Sequence, residues 1–367
     1  MSICLNMIVK NESKNMPTCL ESVKDVVDYY IINDNGSTDG TPELIKEIMD
    51  GYNIKGEVYS SEWVNFGHNR EEALQKVYQD GRWDYALIID ADGTLHHTNG
   101  AFNNLTADLY MVNIHFGNIE YDLPFLISTK KEFHWKGPVH NYIVGNGSQD
   151  VLRDTYVVYR SGAGAKSHGV TSEEKFLRDA NLLEKELEKN PADTRSMFYL
   201  AQSYRDAGQP VKAYKYYMKR VQIGGWAEEV FMSMYSGANC KWVVEKVFPL
   251  DDYLAAYDYR PTRAEPLFKI AEYYRKSKMF NLGYLFGKTA MEIPFPQDKL
   301  FIDVSIYKWR IADGLSICCY WLCKYHESSE LCNRLLSSEV LPEHEIARVK
   351  KNLEFSLRKV GNELPAR

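Results

Sequence analysis

Two carboxylates one residue apart, Asp90 and Asp92, follow the apolar run Leu87, Ile88, Ile89 in "DYALIIDADGTLHH". A buried strand that ends on acids has three uses. The acids hold a divalent metal against a nucleotide-sugar diphosphate, or one is the nucleophile of an Asp-x-Asp-Gly-Thr-Leu phosphoryl-transfer motif, or they form a polar turn. Two related clusters, "KNES" at 10–13 and "NDNGSTDGT" at 33–41, also follow predicted strands. In a parallel sheet the three ends converge on one edge, where ligands of open α/β sheets bind. An acidic rim is a poor phosphate site unless Mg2+ or Mn2+ intervenes. Arg70, in "NFGHNR", either adds a fixed positive charge there or is a solvated helix arginine.

The elements that position these residues alternate. "SICLNMIV", "DYYIIND", "KGEVYSS" and "YALIID" are apolar or β-rich runs that predict strands. Between them, "NMPTCLESVKDVV", "TPELIKEIMDGY" and "NFGHNREEALQKVYQDG" predict helices, with Pro17 in a first turn and Thr41 as a cap before Pro42. This order implies a parallel sheet with helices on both faces. From 107 to 160, "LYMVNIHF", "PFLIST", "NYIVG" and "TYVVYR" predict a mixed extension of the sheet.

After "SGAGAKSHG" the pattern is helical and repeats. Leu200, Ala201, Tyr204, Gly208, Ala213 and Tyr217 sit at tetratricopeptide spacings, and Ile270, Ala271, Tyr274, Gly283 and Ala290 repeat them. Ala201 and Ala271 lie 70 residues apart, roughly two 34-residue periods, so a degenerate unit fits between them. Small residues at helix crossings with aromatics beside them suit stacked hairpins, and packing accounts for most of the 26 tyrosines.

The 367 residues suit two domains, and 45% hydrophobic with 26% charged residues is an ordinary globular balance. A net charge of −6 without a basic run argues against nucleic acid as a partner. "LSICCYWLC" is too short to span a bilayer and the N-terminus lacks a signal-peptide pattern. Seven scattered cysteines without a second pair to match Cys319 and Cys323 argue against zinc and suggest reduced thiols in a cytoplasmic setting.

The motifs resemble the family 2 glycosyltransferases of the GT-A fold, and within them the group joined to tetratricopeptide repeats. The likeness runs through "MIVKNESKNMPTCLESV", "IINDNGSTDGT", "NFGHNREEAL", "LIIDADGTL" and "HWKGPVHNY", then "FYLAQSYRDAG", "GGWAEEVF" and "RPTRAEPLFKIAEYYR". It implies a GT-A α/β domain over 1–168, Rossmann-like and binding a nucleotide-diphospho-sugar, and an all-α tetratricopeptide-like domain over 169–367. It also implies an inverting enzyme that uses Mn2+ or Mg2+ to move a hexose or N-acetylhexosamine from a UDP-sugar donor to a hydroxyl of a protein or glycan acceptor. By the resemblance, Lys10, Asn11 and Glu12 line the nucleotide pocket and Asp34 meets the uridine base. Asp90 faces the ribose or metal with Ala91 beside it, Asp92 is the principal metal ligand, and Arg70 lies by the base or diphosphate. His140 completes the metal shell, with His168 as its competitor. The acceptor's base is a carboxylate. Relatives often have Glu where this chain has Asn141, which leaves Asp122, slightly favoured, and Glu120. Trp135 either walls the acceptor site or belongs to the core.

Two rivals are weighed against this. A haloacid-dehalogenase-type phosphatase matches "IIDADGTL", but that fold opens on this strand, and here three strand–helix units come first. A scaffold that binds nucleotide with little turnover, its repeats holding a protein partner or a second copy, is kept open by Asn141. An EF-hand loop fails because a strand precedes Asp90 and Ala101 stands at the twelfth position.

Overall fold

The computed structural model describes residues 1–116, 119–159 and 171–363, without the side chains of 119, 120, 362 and 363. The chain divides into two compact units, Met1–Pro191 and Ala192–Arg367. The helix α4 (Ser172–Lys189) falls within the first unit, after the 168/169 boundary read from the sequence.

In the first unit, strands β1 (Ile3–Val9), β2 (Tyr29–Asp34), β3 (Lys55–Ser60) and β4 (Tyr85–Ile88) run parallel. Helices α1 (Met16–Val23), α2 (Thr41–Gly51) and α3 (Phe66–Asp80) connect them. The sheet is extended by β5 (Gly93–His97), β6 (Leu109–Phe116), β7 (Ile119–Ser128) and β10 (Gln149–Tyr159), in the order β3-β2-β1-β4-β7-β6-β10-β5. Strands β8 (Phe133–Lys136) and β9 (Tyr142–Gly145) form a separate hairpin. The pairing of β7 with β4 and β6 is antiparallel, so the extension is mixed as its alternating texture predicts.

Alternation along β1 explains the two cores. Leu5 and Met7 pack with Leu20 of α1 and Ile45 of α2, while Cys4 packs with Leu74 and Val77 of α3 on the other face. The start of α2 differs from the expectation. Gly40, at φ 83°, is the cap residue and Thr41 is the first helical residue. The Thr41 hydroxyl instead donates to Asp39 Oδ1 at 2.6 Å.

The second unit is a run of antiparallel helical pairs: α5 (Thr194–Asp206) with α6 (Pro210–Ile223), α7 (Ala227–Glu245) with α8 (Leu250–Tyr259), and α9 (Glu265–Lys276) with α10 (Phe280–Glu292). A π-helical turn, Ile306–Arg310, leads into α11 (Ile311–Trp321), followed by α12 (Tyr325–Leu336) and α13 (Glu343–Glu363). The small residues sit where helices cross: Ala201, Ala213 and Ala290 are fully buried, as is Tyr217 beside them. Two arginines are equally buried, and each is paired, Arg220 with Glu229 at 3.0 Å and Arg263 with Glu265 at 2.7 Å. Buried charge persists only with such partners. No helix among the described residues is long and apolar enough to cross a membrane.

Candidate active site

The first two acidic clusters form one hydrogen-bonded structure. Past β1 the chain turns at Asn11, whose φ of 56° is the left-handed region that asparagine tolerates. Asn11 N–H donates to Ser37 Oγ at 2.9 Å, and Asn11 Oδ1 accepts from Thr38 N–H at 2.7 Å. Glu12 N–H donates to Thr41 Oγ1 at 2.9 Å and Ser13 N–H to Asp39 Oδ2 at 3.1 Å. Burial would raise the Asp39 carboxyl, but the donors on Thr41 and Ser13 outweigh it and hold it at about 2. Asp34, 6% exposed at the end of β2, accepts from Gly36 N–H at 3.2 Å and Ser37 N–H at 3.1 Å. It therefore closes its own loop, an Asx-type turn. Lys10 is exposed beside this structure, and Glu12 accepts from Asn15 Nδ2 at 2.7 Å.

Arg70 is the hub of the third cluster. The first turn of α3 is capped by Asn65, which accepts from His68 N–H at 2.9 Å. Gly67 follows because a Cβ there would lie 2.1 Å from the Gly137 carbonyl. That close approach brings the segment after β8 against α3. One turn further along the helix, Arg70 Nη2 pairs with Asp90 Oδ1, and Nη1 donates to Asn141 Oδ1 at 2.9 Å. Asn141 Nδ2 in turn donates to the Gly137 carbonyl at 3.1 Å. The guanidinium lies 5.2 Å from the Trp135 ring centroid, within cation–π range. Trp135 is 8% exposed within the α3-side core, and its Nε1–H is buried without a partner among the described residues. Of the two readings of Trp135, the core one holds, and the residue also borders a cleft.

That cleft, about 40 Å3, is lined by Arg70, Asp90, Pro124, Trp135, Asn141 and Tyr159 among others. Asp92 lies beyond Asp90 in the turn that Gly93 N–H closes onto the Asp90 carbonyl at 2.9 Å. Burial, then the charge of Asp90 and that of Glu12, push the Asp92 carboxyl up to about 6, with Arg70 pulling the other way. Burial and then Asp90 raise the Tyr159 phenol well above its ordinary value, and burial with Asp90 and Asp92 raises that of Tyr121. The Asp90 N–H donates to Tyr159 Oη at 3.4 Å. Net negative potential at clustered carboxylate oxygens is the chemistry that suits a hard divalent cation such as Mg2+ or Mn2+. Asp90 and Asp92 fit it as donors. No group of three or more His, Cys, Asp or Glu among the described residues is arranged to hold a metal, so His140 is not gathered with them. His140 is exposed at φ 49°. Ala91 is 5% exposed and packs into the α1–α2 core, which leaves its backbone to the site.

The carboxylate expected to serve as base lies on β7. Register pairs Asp122 with Asn113, whose Nδ2 donates to Asp122 Oδ1 at 3.3 Å. Leu123, Pro124 and Phe125 of β7 line the cleft and Asp122 does not; alternation puts Asp122 on the face of β7 opposite Tyr121 and Leu123. The Glu120 side chain and His168 lie outside the described residues. Tyr159 and Tyr121 went unnoticed in the sequence, since "TYVVYR" and "IEYDLP" read only as strands and strand order alone brings them to the acids.

Residues 4–101 match the family described as glycosyl transferase family 2. That match lies within the first unit. Among curated proteins, the SPbeta prophage-derived glycosyltransferase SunS of Bacillus subtilis is 27% identical over 237 residues, covering 60% of this chain and 53% of SunS. A TPR repeat-containing protein of Synechococcus elongatus is 34% identical over 94 residues, 25% of this chain and 21% of that protein. The chain thus spans about half, or less, of the length of these relatives. Among solved structures, S. aureus TarS 1-349 in complex with UDP-GlcNAc aligns with 70% of this chain and 91% of its own, at 13% identity and a TM-score of 0.39. The family match covers the KNES and NDNGSTDGT loops, Arg70 and the Asp90–Asp92 turn. Asp122, Trp135 and Asn141 lie beyond it.

Proposed function

We propose that the chain is a cation-dependent inverting glycosyltransferase that moves a hexose or N-acetylhexosamine from a UDP-sugar to a hydroxyl of a protein or glycan acceptor. The observation that carries this reading is the pair Asp90 and Asp92 gathered after β4 with Arg70 of α3 paired to Asp90, where burial and then Asp90 push the Asp92 carboxyl up to about 6. Carboxylates that repel one another beside a fixed guanidinium are stabilised when a cation and a diphosphate arrive together. Asp92 and Asp90 hold the cation, which supplies Lewis-acid stabilisation of the leaving diphosphate.

The chain's own groups do the rest. Asp34 keeps lone pairs beyond those its loop N–H groups use, and these accept from the uracil N3–H. Lys10, Asn11 and Glu12 border the nucleotide, with the Ala91 backbone beside it. Arg70 turns from Asp90 to the diphosphate while Asn141 keeps hold of its other nitrogen. Asp122, exposed on β7, takes the proton as the acceptor oxygen bonds to the anomeric carbon and the sugar–diphosphate bond breaks. The repeats present the acceptor or a protein partner, or pair two copies of the chain.

One observation favours a second reading, a nucleotide-binding scaffold with little turnover: Asn141 engages Arg70 and Gly137 through its amide and takes no proton. Calorimetric titration with UDP, with and without Mn2+, tests the binding that both readings share. Cation-dependent binding is expected. No binding under either condition overturns both.

A further inference from the structure

Two turns late in the repeat unit are built alike. At the end of α9, Lys278 takes φ 59° and the Met279 N–H returns to the Tyr274 carbonyl at 2.9 Å. At the end of α11, Cys323 takes φ 59° and the Lys324 N–H returns to the Cys319 carbonyl at 2.8 Å. Left-handed caps of this kind satisfy the last carbonyls of a helix. What the two turns leave outside is apolar and basic. Met279 is 49% and Trp321 61% exposed, with Lys278 and Lys324 exposed beside them.

Aromatic rings join the two turns to α13. Phe280 stacks on Trp321 with centroids 5.4 Å apart, Trp321 meets Tyr320 edge-on at 5.6 Å, and Tyr320 lies 6.4 Å from Phe355. Phe355 is 40% exposed, and Lys351 and Lys359, one helical turn before and after it, share its side of α13 and are exposed.

The charges here are one-sided. Residues 272–280, 320–327 and 351–359 carry seven lysines and arginines against three acids, Glu272, Glu327 and Glu354. Each acid is already paired: Glu272 with Lys276 at 3.1 Å, Glu327 with Lys288 at 2.9 Å and Glu354 with Arg358 at 4.0 Å. Lys278, Lys324, Lys351 and Lys359 have no acid partner among the described residues. In a chain of net charge −6 this is a local excess of positive charge.

We propose that this face of the repeat unit docks on the surface of an anionic lipid bilayer, with Trp321, Met279 and Phe355 in the headgroup layer and the lysines on the lipid charges. Indole and lysine suit that layer, since the ring is apolar with one polar edge and the lysine stem lies along apolar groups while its ammonium stays in water. Lys324 and Lys351 already lie along rings, 4.8 Å from the centroid of Tyr284 and 5.8 Å from that of Phe355. Met279 and Trp321 stand at turns, which suits a fluid layer that moulds around them. The negative remainder of the chain is repelled by the same surface and turns this face toward it. The contact lies on the membrane without spanning it, and it is independent of the transferase reading.

The test is flotation of the full chain with vesicles of phosphatidylcholine alone and of phosphatidylcholine with phosphatidylserine at about 2:1. Binding to the anionic vesicles that weakens as salt rises is expected, with little binding to the neutral ones. Replacing three exposed lysines together, Lys278→Gln, Lys324→Gln and Lys351→Gln, is expected to weaken binding about a hundredfold while thermal melts match the wild type. Trp321→Ser is expected to weaken it about tenfold. Equal binding to both vesicles, binding unchanged in the triple variant, or no binding to either vesicle overturns the proposal. Binding of polyglutamate without vesicles would make the partner an acidic protein, and a dimer lost in Trp321→Ser without vesicle binding would make it a second copy; both overturn it as well.

Discussion

Arg70 donates to Asn141 Oδ1 at 2.9 Å while its other nitrogen pairs with Asp90, so a single guanidinium ties the end of β4 to the segment between β8 and β9. Asn141 suits that role because its amide both accepts from Arg70 and donates to the Gly137 carbonyl at 3.1 Å. A carboxylate has no proton to donate there. In this position Asn141 holds Arg70 beside Asp90. Replacing it with Ala removes a hydrogen bond to a charged group, worth about 1.5–3 kcal/mol. Steady-state kinetics should show the donor KM raised about tenfold or more, with a smaller change in kcat.

Asp92 should be a residue whose loss stabilises the fold. Its folded carboxyl titrates at about 6, above the usual 3.8, because burial and the charges of Asp90 and Glu12 disfavour ionisation. The sign follows from linkage: stability is full below the unfolded value and falls as pH rises from about 4 to 6. Asp92→Asn is expected to melt several degrees above the wild type at pH 7 without cation, with the difference gone near pH 4. A variant that melts lower at pH 7 would contradict this environment for Asp92.

The same shift ties cation binding to proton release. Near pH 5.5 the Asp92 carboxyl is largely protonated, so Mn2+ must displace a proton, and affinity should rise with pH and level off above about 7. Titrations in two buffers of different ionisation enthalpy measure the protons released. Affinity that does not vary between pH 5 and 7 would place the cation elsewhere.

Asp39 gives the opposite pH sign. Donors on Thr41 and Ser13 overcome burial and hold it at about 2, so it stabilises the two joined loops above the unfolded value near 3.8 and ceases to as pH falls toward 2. Asp39→Asn should weaken nucleotide binding through the KNES and NDNGSTDGT loops, and its melting point should depend less on pH below 4 than that of the wild type.

Gly67 is the position where a methyl group is too much, with the Gly137 carbonyl 2.1 Å from a built Cβ. Gly67→Ala should destabilise by about 1–3 kcal/mol, as overpacking does. It should also raise the donor KM, because the shift that relieves the clash pulls Asn141 from Arg70.

The parallel strands and the acids at their ends were legible because apolar runs and Gly/Asp-rich turns are local signals. The start of β5 was not: Gly93 and Thr94 read as part of the acidic motif, and only pairing with Tyr159 and Val158 makes them a strand. Thr41 looks like a cap by type, yet its hydroxyl donates to Asp39 and accepts from the Glu12 N–H, 29 residues away in the chain. What holds Asn141 could not be read at all, since Arg70 lies 71 residues away in sequence. The carbonyl approach at Gly67 is likewise a product of packing, to which neither periodicity nor spacing gives a clue.

The measurement that bears most directly on the account is a panel of nucleotide-sugars with Mn2+, reading UDP release with and without acceptor, beside Asp92→Ala. The account predicts release from one UDP-sugar that needs the cation and is lost in the variant. UDP binding without release from any donor, in the presence of candidate protein and glycan acceptors, would contradict the transferase and leave the scaffold.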